Sequence, residues 1–536
     1  MFDIVVVGGG SAGCAMAARL AEPGDLTVLL LEAGESDRHL RSRVPALVAT
    51  VVQNPAFDWC YLAEPDPSIG GRADVWPAGR RLGGGSAING MMFVRGNPWD
   101  YDEWARLGAG GWSHADVLPF FRRLESNERG ADAHRGADGP VSVAESRARW
   151  PVTDRWVEAV QQTGVPRSAD LNGVQPEGVD YVQVSQRNGL RHSSAQAYLH
   201  ARRANPRLTV RLNAQATRIV IEGGRATGVE YREGGVMRTA SARSGVVLCA
   251  GALNSPRLLM LSGIGPAEPL RRHGVAVVRD LPGVGRNLQD HVGTHLVNDA
   301  ATPTMNSEVR GLGALNHLAR FVFTRRGAMT TAIGHAQAMV RSRPGLPAPN
   351  LQIIFAPFAF DLDAQGKLVL RERPAVSQAV CVVRPKSRGT VELRSSDPFA
   401  APLIRHQLLG DDDDLEQLAE GIGLARGFVR QPALAGLLTG EARPGAALSG
   451  EALRGYCRLA AIPMYHPVGT CRMGEDERAV VDPDLKVRGV EGLWVADASV
   501  MPTLIAGNTN ATAIMIGDKG AEHVRRSLEL STALAR

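Results

Sequence analysis

The chain opens with Val5-Val-Val-Gly-Gly-Gly-Ser-Ala-Gly13, and the spacing of these glycines restricts what the N-terminal segment can become. Ile4 to Val7 is a β-branched run suited to a parallel strand buried on both faces. Gly8, Gly10 and Gly13 then give the G-x-G-x-x-G pattern. The first glycine permits a tight turn, the second lets backbone approach a pyrophosphate, and the third lets the next helix pack on the strand. A helix expected over Ser11 to Leu20 aims its N-terminal amides at the phosphates. A second apolar strand, Thr27 to Leu31, ends in Glu32, where an acidic side chain binds adenosine ribose hydroxyls. The unit is a dinucleotide-binding βαβ fold, and the motif alone serves FAD and NAD equally.

A second glycine cluster, Gly79-Arg-Arg-Leu-Gly-Gly-Gly-Ser-Ala-Ile-Asn-Gly90, favours FAD, because an extended flavin needs close backbone approach at both its phosphates and its ring. Far along the chain, Pro463-Met-Tyr-His-Pro-Val-Gly-Thr470 supplies His466, and Gly507-Asn-Thr-Asn510 supplies Asn508 after an apolar strand ending Trp494-Val-Ala-Asp-Ala498. A cofactor at one end of the chain and a candidate base at the other describe a redox enzyme, and histidine, with an unperturbed pKa of about 6.5, suits a proton acceptor. From the residues alone a loop histidine is more often structural, and Gly507-Asn508 also suits a turn; if the two meet a substrate, the amide can hydrogen-bond its oxygen but cannot act as a base, which leaves the proton transfer to His466. Asn510 to Arg526 reads as a helix with Asn510 as its N-cap.

At 536 residues the chain exceeds what one core fills, so two domains sharing a cofactor cleft are expected. The formal charge of +5, with no basic run interleaved with aromatics, argues against nucleic acid as a partner. Six scattered cysteines without a C-x-x-C pair fit neither a zinc site nor a dense disulfide framework, and a reducing cytoplasm is the expected compartment. The apolar N-terminus lacks a basic n-region and reads as a buried strand rather than a signal peptide, and no apolar stretch is long enough to span a bilayer. Asp411 to Asp414 precede an apolar helical stripe and read as a helix cap, with no metal expected. His291 reads as a structural hydrogen-bonding residue and Cys471 as a small buried one. Phe355 to Phe360 fits a pocket wall or a strand equally. Val380 and Val382, with Val391 and Leu393 across Arg384 to Gly389, suggest a hairpin.

These segments together resemble the glucose–methanol–choline family of flavin oxidoreductases, in its choline-dehydrogenase-like bacterial branch. The resemblance covers essentially the whole chain through the N-terminal fingerprint, Gly79 to Trp104, Gly251 to Pro266, Val284 to His291, and the His466 and Asn508 segments, in the family's order. It implies an α/β fold: a doubly wound FAD-binding domain over 1–150, 195–298 and 470–536, and a substrate domain on an antiparallel sheet over 151–194 and 299–469. It implies FAD contacts at Gly8, Gly10, Ser11, Ala12, Gly13, Glu32 and Ala33, with the Ala216 backbone at adenine. Further FAD contacts are implied at Gly84, Ser86, Asn89, Gly90, Met91 and Met92, and at Asp497, Ala498, Thr509 and Asn510. In the family the last helix points its positive end at the flavin pyrimidine, which stabilises negative charge there. Some members tether FAD through a histidine just before the asparagine of the first signature. Ile88 holds that place here, so the FAD is expected to be non-covalent.

The implied activity is oxidation of an alcohol, expected to be primary, to the aldehyde, with hydride passing to flavin N5 and His466 as base. The electron acceptor is oxygen, a quinone or a carrier protein. Choline is not the favoured substrate, since nothing identifiable marks an aromatic and carboxylate cage. A second reading is a lyase on the same scaffold, as hydroxynitrile lyases resemble the family and need a base but no redox step.

Overall fold

Five parallel strands stand side by side in the order Leu208–Arg211, Val28–Leu31, Phe2–Val7, Val236–Leu248 and Leu493–Val495. The computed structural model describes residues 1–173, 176–200, 205–362 and 368–534. The long strand Val236–Leu248 has two characters. Its first half is largely exposed and pairs antiparallel with Arg225–Glu233, which in turn pairs with Ala214–Glu222. Its last four residues are fully buried beside Phe2–Val7, as a parallel strand covered on both faces must be.

The helices Ser11–Ala21 and Asn510–Leu534 pack on this sheet and on each other. Gly517 permits their close approach, because a Cβ there would run into the Ala12 carbonyl. Arg19 pairs with the buried Asp518 at 2.7 Å, and Tyr198 Oη donates to the same carboxylate at 2.9 Å. Two boundaries move slightly from expectation. The second strand starts at Val28, since Thr27 bonds Asp3 through its side chain and amide. Asn510 is the first residue of its helix rather than the cap: the Thr509 carbonyl accepts from the Ala513 amide, and Asn510 Oδ1 accepts from Ser11 Oγ at 2.7 Å.

The second sheet is antiparallel, in the order Leu438–Arg443, Val292–Ala300, Ala375–Val382, Leu351–Ala356, Ala336–Val340 and Gly178–Tyr181, with Ile462–Pro463 alongside Val292 and Gly293. The helices Asp412–Val429 and Pro151–Gln162 cover one face. Trp156 Nε1 donates to Gln378 Oε1 at 2.8 Å there. Met339, Ile354 and Cys381 on the other face cluster with Met91, Met92 and Ala506 of the dinucleotide unit.

Several expectations change at this level. The segment boundary placed at 298 falls inside Val292–Ala300, a strand of the antiparallel sheet, and Tyr61, Ile69 and Trp76 from the 1–150 segment pack into that sheet's core. The hairpin across 380–393 does not form. Val380 and Val382 pair with two other strands, Val391 pairs with Ile404, and the amides of Lys386 and Ser387 are held by the Asp414 carboxylate. Phe355 lies within the strand Leu351–Ala356 and stacks on Trp156 at 5.0 Å, in the core. Asp411 caps its helix by accepting from the Asp413 amide at 3.0 Å. Cys471 is fully buried.

Candidate active site

The two glycine clusters form one backbone surface. Gly8 has φ +99°, and a Cβ there would lie 2.5 Å from the Cys249 carbonyl oxygen, so only glycine fits. Gly83 N donates to the Gly9 carbonyl at 2.6 Å, and a Cβ on Gly84 would lie 2.7 Å from Gly10 Cα. The outer side of this junction is open: a Cβ on Gly85 would meet nothing within 4 Å, and one on Gly10 nothing nearer than 3.8 Å. A bare backbone cradle at a helix N-terminus, with Ser11 and Ala12 starting that helix, suits the phosphates of a dinucleotide.

Glu32 follows the strand Val28–Leu31 and reaches back to the first glycine loop. Its carboxylate accepts from Gly9 N at 2.9 Å and Gly34 N at 2.7 Å, with burial pushing its pKa up. Each oxygen keeps a further lone pair for a ligand hydroxyl. The Ala214 amide donates to the Glu32 carbonyl at 2.8 Å, which brings the half-buried Ala33 and the strand carrying Ala216 together.

At the other end of the cradle, Asn89 Oδ1 accepts from Met91 N at 3.0 Å and from Arg191 Nη1 at 2.7 Å, while Arg191 Nη2 donates to the Asn89 carbonyl at 2.6 Å. Arg191 is buried among carbonyls, and burial lowers its pKa to about 9. Ser86 Oγ donates to the Gly83 carbonyl and accepts from Ser194 N at 2.9 Å. Gly90 lies under Ile333, while Met91 and Met92 are buried against the second sheet. Asp497 accepts from Gly251 N at 2.8 Å, Ser255 Oγ at 2.6 Å and Ser499 N at 2.8 Å, and the Ala498 carbonyl accepts from Gly469 N at 3.3 Å. These bonds join the Gly251 helix to the loop that carries His466.

His466 and Asn508 meet directly, Nε2 to Nδ2, at 3.1 Å. The protonation pattern follows from a fixed acceptor at the far end. His291 Nε2 lies 2.9 Å from the Ile505 carbonyl, which can only accept, so that nitrogen carries the proton. His291 Nδ1 therefore has a lone pair and accepts from His466 Nδ1–H at 2.9 Å. His466 Nε2 keeps its own lone pair, toward which the Asn508 amide donates. Asn508 Oδ1 accepts from Gln352 Nε2 at 3.4 Å, and Gln352 Nε2 also donates to Gln337 Oε1 at 2.5 Å.

The backbone of the loop is equally constrained. Tyr465 has φ +62°, and His466 N donates to Asp290 Oδ1 at 2.8 Å. Burial lowers the His466 pKa to about 4 and pushes His291 well below its ordinary value, with His466 as a second cause. Burial raises the Asp290 pKa to about 8, so this acid is largely neutral at pH 7. His466 is thus an uncharged imidazole whose Nε2 lone pair accepts from an amide donor.

Sequence reasoning placed His291 as a hydrogen-bonding residue, and its partner proves to be His466. It missed Asp290, Arg191, Gln337 and Gln352. Strand periodicity can assign a glutamine to a face, but not say what that face meets. Among the described residues, no group of three or more His, Cys, Asp or Glu side chains is placed to hold a metal.

A glycine cradle for a dinucleotide and a neutral histidine beside an amide donor define the class: a flavin-dependent oxidoreductase acting on CH–OH groups. Residues 2–293 and 385–517 match the N- and C-terminal family models of GMC oxidoreductase. The chain is 42% identical to an uncharacterised GMC-type oxidoreductase of Mycobacterium tuberculosis, over 98% of this chain and 99% of that one. It is 38% identical to an oxygen-dependent choline dehydrogenase of Brucella canis, over 97% and 95% of the two chains. The crystal structure of pyridoxine 4-oxidase from Mesorbium loti superposes with a TM-score of 0.89 at 30% identity, covering 98% of this chain and 99% of that one. The protein belongs to the GMC oxidoreductase family, whose members depend on FAD.

Proposed function

We propose that the protein oxidises an uncharged primary alcohol to the aldehyde, with non-covalent FAD and with His466 as the base. The observation that carries this reading is the unprotonated His466 Nε2, whose lone pair accepts from the Asn508 amide at 3.1 Å where a substrate hydroxyl would take its place. The residues that would hold FAD are Gly8, Gly10, Ser11, Ala12 and Gly13 at the phosphates, with Glu32, Ala33 and Ala216 at the adenosine end. Gly84, Ser86, Asn89, Gly90, Met91 and Met92 would lie toward the ring, with Asp497, Ala498, Thr509 and Asn510 on the C-terminal side. The first sheet and its helices serve as the cofactor domain, and the antiparallel sheet as the substrate domain.

FAD, when bound, supplies the hydride acceptor. The chain's own part is to orient the alcohol and take its proton. Asn508 Nδ2 donates to the substrate oxygen while His466 Nε2 receives the hydroxyl proton. Protonation makes His466 a cation with hydrogens on both nitrogens, and His291 Nδ1 continues to accept from Nδ1–H through the step. The wall reached from Asn508 carries Gln337, Met339, Gln352 and Ile354, and its two strands contain no acidic residue. Amides and apolar groups suit a neutral alcohol better than a quaternary ammonium. Similarity to a choline dehydrogenase and a pyridoxine 4-oxidase supports an alcohol as the substrate. Ile88 packs with Val51 and Phe57 and offers no nucleophile, which supports non-covalent binding. The electron acceptor is oxygen, a quinone or a carrier protein.

The test is to mix the flavin-loaded protein anaerobically with a panel of primary alcohols, following visible flavin absorbance and aldehyde. Bleaching with stoichiometric aldehyde is expected. Failure of every alcohol to bleach, together with aldehyde release from a cyanohydrin, would overturn the reading in favour of a lyase.

A further inference from the structure

We propose that the helix Gly311–Thr324 is a docking element for an anionic membrane surface. This helix buries only His317 and Phe321. Leu312 is 83% exposed, Leu315 63%, Leu318 48%, Val322 57% and Phe323 85%. At 3.6 residues per turn these five side chains fall within an arc of about 140°, centred roughly opposite the buried pair and off the protein's own core. Burying such a stripe releases substantial hydration free energy, and a water-exposed surface leaves that unused.

Charge selects the occupant. No Asp or Glu occurs between Glu308 and Asp361, whereas Arg310, Arg320, Arg325 and Arg326 frame the helix and are all exposed. Arg325 lies over the Phe321 ring at 5.1 Å, at the end of the apolar stripe. Leucines and phenylalanine on one face with arginines at the margins are what an interfacial helix presents to acyl chains and to phosphate headgroups respectively. A second copy of this chain fits less well. A two-fold pairing of the stripes would place one arginine set against the other without any intervening carboxylate from this segment. Among the described residues no helix is long and apolar enough to cross a membrane, so the attachment is peripheral.

The helix also has a meaningful position. It runs through Gly327 and the Ala328–Thr330 turn to Ile333, which is 48% exposed and whose amide donates to the Gly90 carbonyl at 3.4 Å. Gly90 belongs to the second glycine cluster, so the segment that leaves the helix carries the exposed Ile333 to the end of the cradle assigned to the ring. Docking on this helix would bring that end next to the bilayer, where apolar reactants concentrate. The docking itself does not depend on the alcohol assignment.

The experiment is flotation of the flavin-loaded protein with phosphatidylcholine vesicles, with and without phosphatidylglycerol, at low and high salt. Binding to the anionic vesicles, weakened by salt, is the expected result. The double variant Leu315→Glu/Phe323→Glu should lose flotation and keep wild-type melting temperature and turnover of a water-soluble alcohol with a dye acceptor. Arg320→Gln and Arg326→Gln should each weaken anionic binding by about fivefold at low salt. Wild-type protein that fails to float, or a double variant that floats as wild type does, would overturn the proposal. A wild-type dimer that the double variant dissociates, with neither protein floating, would assign the stripe to a second copy instead.

Discussion

His291 and His466 meet Nδ1 to Nδ1 at 2.9 Å with their ring planes 77° apart, and the Ile505 carbonyl beyond His291 decides which nitrogen of each ring bears a proton. One backbone oxygen thereby aims a lone pair at Asn508 from two imidazoles away. With His466 as the proposed base, His291 would be a positioning residue, acting on the substrate only through His466.

Replacing His291 by Leu leaves the His466 Nδ1–H without an acceptor and frees its tautomer. An unsatisfied buried donor is worth about 1–3 kcal/mol, which corresponds to roughly a 5- to 150-fold fall in the rate of flavin reduction. His291→Asn, which retains an acceptor and a donor, should recover part of that rate and restore the pH profile. Equal rates for both variants and wild type would remove His291 from this role.

His466→Ala should slow anaerobic flavin reduction by about two to four orders of magnitude while leaving flavin content unchanged. Stopped-flow absorbance with a saturating alcohol provides the measurement. Unchanged kinetics would mean that another group takes the proton.

Acid should destabilise the fold between about pH 6.5 and 4. Burial lowers the pKa from 6.5 to about 4 for His192, His295 and His466, and to about 3 for His335. The unfolded chain then binds more protons than the native one in that window. The stabilisation is present above pH 6.5 and is lost as pH falls through the folded values. Asp290 runs the other way: with its pKa raised from 3.8 to about 8, its contribution is full below 3.8 and is lost as pH rises through 8. Melting temperature should therefore fall on acidification from pH 6.5, and Asp290→Asn should reduce the loss on the alkaline side. A melting temperature that climbs from pH 6.5 to 4 would contradict the histidine argument.

A valine at Gly84 would place its Cβ 2.7 Å from Gly10 Cα at a residue with φ +51°. The two glycine loops would be forced apart, and the purified Gly84→Val protein should lack visible flavin absorbance. Normal flavin content in a folded variant would show that the cradle tolerates separation.

If FAD is held non-covalently as proposed, acid precipitation of the flavin-loaded protein should release all yellow colour into the supernatant, since Ile88 packs with Val51 and Phe57 and offers no nucleophile. Colour retained in the pellet would establish a covalent link elsewhere.

Much of this molecule was legible in the chain because its parts are local. The glycine spacing from Gly8 to Gly13, the strand ending at Glu32 and the acidic cap at Asp411 each depend on a few neighbouring residues, and the structure places them within a residue or so of expectation. The failed hairpin at 380–393 shows the limit. Alternating valines mark a strand on either side of Arg384 to Gly389, but pairing partners are chosen by distant strands, and Asp414 removes the amides a turn would use. Phe355 likewise satisfies a pocket or a core until the position of Trp156 is known.

The sequence by itself determined the dinucleotide unit, which follows from short-range periodicity, and the family, which follows from ordered motifs; the antiparallel sheet was legible only as what the resemblance implies. Tertiary structure alone decided that Gly10 and Gly84 share one cradle, that Gln352 reaches Asn508, and that His291 sets the tautomer of His466. Hydrogen-bond direction belongs to groups brought within 3 Å of each other, and residues 175 positions apart in the chain have no such relation until the chain folds.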